Sequence, residues 1–350
     1  MSRKRTVAVL ILAILALGIW ALTNYQRGRK VGELLEQLSD TDQFKAMEAM
    51  EQLRHRGRFV GPRLAENLSS SDPSRRWRAA MLAAEIGYRG RAVCEQIVTL
   101  VSDKDPDVRR AAIVACGRLR LAEAEGPLGN ILYSKTEDPM LRALAAASLG
   151  MIRVEGATKT LAAVLDQRPP VPAKKSETKG TAGTGAKSAA EEPETTKGAE
   201  KPAAEAEAPT QSKPAEDKTW QVRMECALAL GQIGSAEGVD ALARSVQQDV
   251  EPKVDVRVAA AYALADLGTA VADQSVVTKV VEALIKAMGD EAGDVRVAAA
   301  MGLARVYPPK ALRSQVEKVL REHADDEHYW VREAVKYAAR QLAVSLAASS

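Results

Sequence analysis

Val222–Gly234 reads VRMECALALGQIG, and Val256–Gly268 repeats the phrase as VRVAAAYALADLG. Aligned on the arginine, the copies fall at Gln43, Arg76, Arg109, Arg142, Arg223, Arg257, Arg296 and Arg332. The steps between them are 33, 33, 33, 81, 34, 39 and 36 residues. A period in this range is that of a solenoid, in which each unit buries its apolar face only by stacking on its neighbours. Within the phrase, a valine, two small residues four and five places on, and then Leu or Ile make an apolar stripe of helical period. Alanine and glycine dominate the stripe, which lets neighbouring helices approach closely.

An acidic turn precedes the arginines: Asp72-Pro73, Asp105-Pro106-Asp107, Asp138-Pro139, Asp255 and Asp294. Aspartate here accepts from the free N–H groups of a helix start, and proline begins a helix without losing a needed donor. Before each turn lies a second amphipathic run, as in Arg91–Ser102, Gly238–Gln248 and Val276–Met288. Each unit is therefore helix A, acidic turn, helix B. The expected fold is all-α, an α-solenoid of about eight helical hairpins.

The pattern D-x-x-V-R-x-x-A-A-x-A-L-G-x-I-G, best matched at 105–120 and 220–234, resembles HEAT repeats of the bacterial, phycobilisome-lyase-like type. The resemblance covers nearly everything but the N-terminal run and one low-complexity stretch. Three copies depart from it: Gln43 replaces the arginine in a degenerate first copy, Arg75 replaces a valine, and Tyr307 replaces a terminal glycine. It implies that Arg76, Arg109, Arg142, Arg223, Arg257, Arg296 and Arg332 form a structural ladder with acids between adjacent turns. It also implies that the B helices line a concave surface. Positions one, five and nine after the arginine share a helix face and vary between copies. They hold Trp77 and Met81, Met224 and Leu228, Val258 and Tyr262, Val297 and Met301, then Glu333 and Tyr337. One reading is an apolar partner-binding groove rimmed by Asp266, Arg305 and Gln341, since Met- and Tyr-rich surfaces suit peptide or helix binding. The other is packing between adjacent B helices.

The 81-residue step exceeds one 33-residue period by 48, close to the length of the Pro-, Ala-, Lys- and Glu-rich segment 169–218. That segment lacks large apolar residues and is expected to be disordered. Gly156–Asp166 is a helix A with no helix B until Trp220–Ile233. The segment therefore reads as an insert in one A–B turn, dividing a single solenoid into 31–168 and 219–345.

At the N-terminus a basic tail, 1–5, precedes the uncharged run Val7–Leu22. With flanking threonines the run approaches bilayer length, and Trp20 and Tyr25 sit at interfacial positions. The expectation is an uncleaved transmembrane signal anchor over 6–24, a cleaved signal peptide being the alternative. Cations flank the run on both sides, and the short basic tail favours repeats on the non-cytoplasmic side.

Residues 25–168 carry 23 basic and 19 acidic side chains, and residues 219–350 carry 15 and 18. Neither balance, +4 or −3, is the strongly basic footprint of a nucleic-acid binder. Cys94, Cys116 and Cys226 form no CxxC pair and suit buried free thiols. Gly180–Ser188, GTAGTGAKS, lacks the lysine directly after the last glycine that a phosphate loop requires. The acids of His323–His328 read as turn caps rather than metal ligands. These readings lead to a non-enzymatic, membrane-tethered scaffold that binds a protein partner, with no cofactor, metal, nucleic acid or small-molecule substrate. Two alternatives remain: a bilin lyase or isomerase, by the resemblance, and a HEAT-like DNA glycosylase.

Overall fold

Aspartate and proline open the helices. In the computed structural model, which describes residues 3–167 and 219–343 (side chains from residue 11, Arg58 excepted), the Asp72 carboxylate accepts from the Ser74 N–H at 2.9 Å. Asp105 accepts from the N–H groups of Asp107 and Val108 at 2.9 and 3.1 Å. Asp255 and Asp294 differ. They lie inside the first turn, where they complement the helix dipole without a capping bond.

Among the described residues every regular element is helical. Helix α1 spans Arg3–Glu36, α2 Gln43–Arg54, the short α3 Gly57–Val60, α4 Leu64–Leu68 and α5 Pro73–Ile86. Next come α6 (Arg91–Leu100), α7 (Pro106–Leu119), α8 (Glu125–Tyr133), α9 (Pro139–Ile152) and α10 (Ala157–Leu165). The second half holds α11 (Trp220–Ile233), α12 (Val239–Ser245), α13 (Val254–Ala270), α14 (Gln274–Ala287), α15 (Gly293–Arg305), α16 (Arg313–Glu322) and α17 (Tyr329–Leu342). The B helices α2, α5, α7, α9, α11, α13, α15 and α17 stack in chain order, with the A helices in a second layer.

Small residues set the B-helix spacing. A Cβ on Gly150 would lie 2.8 Å from Ala229 Cα, and one on Gly231 would lie 2.7 Å from Ala263 Cα. The contact between α9 and α11 therefore repeats the contact between α11 and α13, so stacking continues over the 81-residue step. In the A layer Arg244 of α12 meets Asp166, just after α10, at 2.7 Å. The segment 169–218 lies outside the described residues.

The B helices share an ending. Eleven residues after the arginine slot the backbone turns left-handed, at Gly87 (φ 66°), Arg120 (51°), Arg153 (60°), Gly234 (71°) and Ala343 (53°). This is the left-handed helix stop, which satisfies terminal carbonyls. Helix α2 ends in right-handed backbone at His55 (φ −65°), and α13 and α15 also depart from the left-handed stop. Helix α13 continues to Ala270, and α15 stops at Arg305 and leaves through Val306 in an extended conformation (φ −90°, ψ 112°). Tyr307 occupies the stop position there but precedes Pro308, and a residue before proline is pushed towards extended backbone.

The expected transmembrane helix over 6–24 is corrected. Among the described residues no helix is long and apolar enough to cross a membrane. The uncharged run Val7–Leu22 is sixteen residues, short of the roughly 20 a bilayer core requires. The backbone does not end there. Helix α1 continues through Arg27, Arg29 and Lys30 into the first repeat, where Val31, Leu34 and Leu35 are buried.

Because the α9–α11 and α10–α12 contacts use residues on either side of the insert, the insert is not needed to hold the two halves together. Replacing 169–216 by a short Gly-Ser linker, which keeps Asp217, is expected to leave one cooperative thermal transition and an unchanged molar helical signal by circular dichroism. Two separated transitions would show that the halves fold independently.

Candidate functional site

The arginine column builds a repeated rung. Arg257 on α13 donates Nε and Nη2 to both carboxylate oxygens of Asp290, at 2.8 and 2.9 Å, and Nη1 to the Glu251 carbonyl at 2.9 Å. Asp290 also accepts the Ala292 N–H at 2.8 Å, so one acid fixes the next turn and receives the previous arginine. The same figure recurs with Arg223 on Glu251, Arg296 on Asp326 and Arg76 on Asp103. Arg109 makes a single 3.0 Å contact with Glu137. Arg332, on the last described helix, donates to the Asp326 and Glu327 carbonyls and lies over the Tyr329 ring, 5.7 Å from its centroid.

These acids are not the turn aspartates singled out in the sequence. Asp103, Glu251, Asp290 and Asp326 lie six residues before the following slot, upstream of the cap. Fixed spacing from the arginine is the signal that would have found them. Arg142 is 6% exposed and donates Nε to the Leu132 carbonyl at 3.0 Å. The matching acid position, Asp217, lies outside the described residues.

On the variable face, Trp77, Met81, Met224, Leu228, Val258, Val297 and Met301 are half-buried against the core. Tyr262 and Tyr337 are 38% and 39% exposed. The first seven pack against the core and still present an edge to solvent, whereas the two tyrosines stand further out. Trp77 and Met81 line a cavity of about 570 Å³ with Gln43 of α2 and Asp107, Arg110 and Val114 of α7. Sequence reasoning missed the more exposed apolar groups Phe44, Met47, Met140, Tyr329 and Trp330. Met140 and Trp330 share the position two residues before the slot, so the same alignment contained them. Tyr329 and Trp330 pack edge to face, with centroids 5.1 Å apart.

The remaining reactive groups are subdued. Burial pushes the Cys116 thiol up to about 12 and raises Cys226 as well, which disfavours their nucleophilic thiolates. Cys94 is half-buried, and burial raises it too. Burial likewise raises Glu225 on α11. In His323–His328, Asp326 is committed to Arg296, and His323 Nδ1 lies 3.0 Å from the Val319 carbonyl. No group of three or more metal-ligating side chains occurs among the described residues.

A family model for HEAT repeats matches residues 61–132 and 99–175, and one for the PBS lyase HEAT-like repeat matches 222–248 and 256–290. No curated protein matches the chain. Among solved structures it is similar to the CpcE–CpcF complex of phycocyanin lyase from Nostoc sp. PCC7120, at 20% identity over 81% of this chain and 94% of that one (TM-score 0.40). It is also similar to YibA of Escherichia coli, at 16% identity over 83% and 85% of the two chains (TM-score 0.46). Human deoxyhypusine hydroxylase is 16% identical over 83% and 98% (TM-score 0.33). Likenesses this distant carry nothing about activity. The family match, however, corrects the expectation that the chain is not an enzyme. The repeat over 222–290 is one described by a lyase. Lack of a compact catalytic motif was a weak ground for excluding activity, because a solenoid can assemble a site from separate repeats.

The ladder yields two expectations. The Arg223 and Glu251 side chains are 1% and 0% exposed, so Arg223→Met strands a buried carboxylate and should cost about 3–5 kcal/mol in chemical denaturation. Arg91→Ala, which breaks an exposed pair with Glu95, should cost about 1 kcal/mol or less. The second concerns pH. Burial pushes Asp103 and Asp326 up, but bonds from Arg76 and Arg296, turn N–H groups and nearby cations outweigh it and hold both below the usual carboxylate range. A depressed folded-state value means stabilisation present above the unfolded value, about 3.9, and lost as pH falls through the folded one. Melting temperature should therefore fall steeply below about pH 4, and less steeply in Asp103→Asn/Asp326→Asn.

Proposed function

This chain belongs to the HEAT-repeat family, and from that premise we propose that its B-helix face holds a segment of a partner protein. The observation that carries the reading is the run of half-exposed Met, Tyr and Trp side chains on successive B helices. It includes Met224, Val258, Tyr262, Val297, Met301, Trp330 and Tyr337. Buried alanines beneath this run already supply the packing between helices, so the larger side chains stand above a filled interface. Aromatic and methionine side chains on a rigid scaffold give contact area at low ordering cost, and such anchors carry most of the energy in protein interfaces. The cavity between α2, α5 and α7 extends the same face into the first half.

Attachment to a membrane, with the repeats on the non-cytoplasmic side, is our proposal for localisation. Ile11, Leu12, Ile14, Leu15, Leu17, Ile19, Trp20 and Leu22 are all more than half exposed around α1. A helix apolar on every side is costly in water and suited to lipid or protein cover. The match to the PBS lyase HEAT-like repeat favours a second reading, in which the bound species includes a bilin. Visible absorbance on the purified chain after co-expression with a bilin source would support it.

Photo-crosslinkers at Tyr262 and Tyr337, with Thr278 on the A layer as control, are expected to trap one common partner from the two B-face positions alone. Against that purified partner, Tyr262→Ala/Met301→Ala/Tyr337→Ala should weaken binding at least tenfold by titration calorimetry, with helical content unchanged. Equal affinity for the variant and the parent would dismiss the B-face groove.

A further inference from the structure

The repeat loses its regular ending at α13 and α15, and a cleft of about 500 Å³ opens between the two irregular turns. It lies at the ends of the helices rather than on the variable face. Arg305, Lys310 and Arg313 line it, with Tyr307, Pro308 and Val271, and the lining contains no carboxylate. This positive pocket sits on the half of the chain whose net charge is −3. Arg305 is held by Asp266 at 2.6 Å, from outside the lining. Arg313 stacks on the Tyr307 ring, 4.9 Å from its centroid, and donates Nη2 to the phenol oxygen at 2.5 Å. Lys310 is exposed and has no ion-pair partner among the described residues. Tyr307 is 71% exposed, although a large aromatic in a turn gains most when covered. A contiguous hollow of about 110 Å³ continues past Tyr307, Pro308 and Arg313 to Val316, Leu342 and Glu317, whose carboxylate is paired with Arg321 at 3.5 Å.

We propose that this cleft binds an acidic peptide segment of a protein, with carboxylates on Lys310 and Arg313 and an apolar side chain against Tyr307 and Pro308. Charge complementarity selects an anion. The floor of Val271, Val277 and Val306 selects an amphipathic ligand over a bare phosphate. The surrounding negative field disfavours a polyanion long enough to run beyond the pocket, which argues against nucleic acid. Arginine suits carboxylate because its planar fork matches two oxygens, and stacking on tyrosine fixes the plane of that fork beforehand. The site shares none of the proposed B-face anchor residues, and Arg305, which rims that face, is the residue at which the two adjoin.

The test uses the full chain and the peptide LEELDE-NH2 carrying fluorescein on its N-terminal amine, followed by fluorescence polarisation. Saturable binding is expected, weakening at least tenfold between 50 and 300 mM salt and at least tenfold in Lys310→Glu/Arg313→Glu. Tyr307→Ala should weaken it without removing the salt dependence. The Tyr262→Ala/Met301→Ala/Tyr337→Ala variant should bind the probe as the parent does, which separates failure here from failure of the B-face reading. Equal binding of the charge-reversed LKKLKK-NH2, labelled in the same way, would overturn the proposal. So would full competition by millimolar inorganic phosphate, tighter binding of a single-stranded oligonucleotide, or an unchanged affinity in the double charge reversal.

Discussion

One constraint governs the molecule: Arg76, Arg223, Arg257 and Arg296 each satisfy three nitrogens at once, and only the stacked geometry of two successive repeats allows it. Arg257 spans the Asp290 carboxylate of the following turn and the Glu251 carbonyl of its own, while Glu251 receives Arg223 from the repeat before. Shifting one hairpin against the next by a helical turn would leave a buried guanidinium and a buried carboxylate apart. Buried ion pairs add little net stability over a well-packed apolar pair, because desolvation offsets the attraction. Their effect is on alternatives. A stack of alanine-rich helices could slide among several registers of similar burial, and the rungs penalise every register but one.

That account explains what was legible beforehand. The arginine column and its period followed from alignment alone, since a residue needed at one place in every unit must recur at the unit's length. The acids were harder. Asp72, Asp105 and Asp138 stand next to proline and look like the partners, yet their carboxylates face the helix N–H groups. The true partners lie upstream in a turn of variable length, and Glu137 is displaced by one residue from the position used by Asp103 and Asp290. Local chemistry identifies a cap, because cap and helix are adjacent in sequence. A rung joins residues 27 to 33 apart, so no local chemistry marks its acid; the signal is the spacing of six residues before the next arginine, which Glu137 breaks. The variable B-face positions were legible, whereas the exposure of their side chains was not. Trp330 passed unnoticed as an anchor because its position in most other copies holds a small or charged residue.

The N-terminal run shows how a hydropathy pattern and a structure can part. Val7–Leu22 has the composition of a span, but in the fold it belongs to one continuous helix that delivers Val31, Leu34 and Leu35 to the first repeat. The exposed apolar stretch Ile11–Leu22 is thus joined to the first repeat through unbroken helix.

Regular repetition and specific recognition oppose each other in a solenoid. Every position held constant for stacking offers the same chemistry eight times over, so a distinct site has to arise where the pattern is released. Here the release happens in two ways. On the B face, the positions between the rung and the alanine interface carry side chains of differing size without disturbing the spacing beneath. At the ends of α13 and α15 the period itself lengthens, to 39 and 36 residues, and the left-handed stop is replaced by a longer helix in one case and an extended exit in the other. Pro308 enforces that exit by excluding helical backbone at Tyr307. The ring is thereby carried outward to the place where Arg313 stacks on it, and the room left by the missing stop becomes the cleft. The departure that costs the repeat its regular ending is what makes a binding surface there possible.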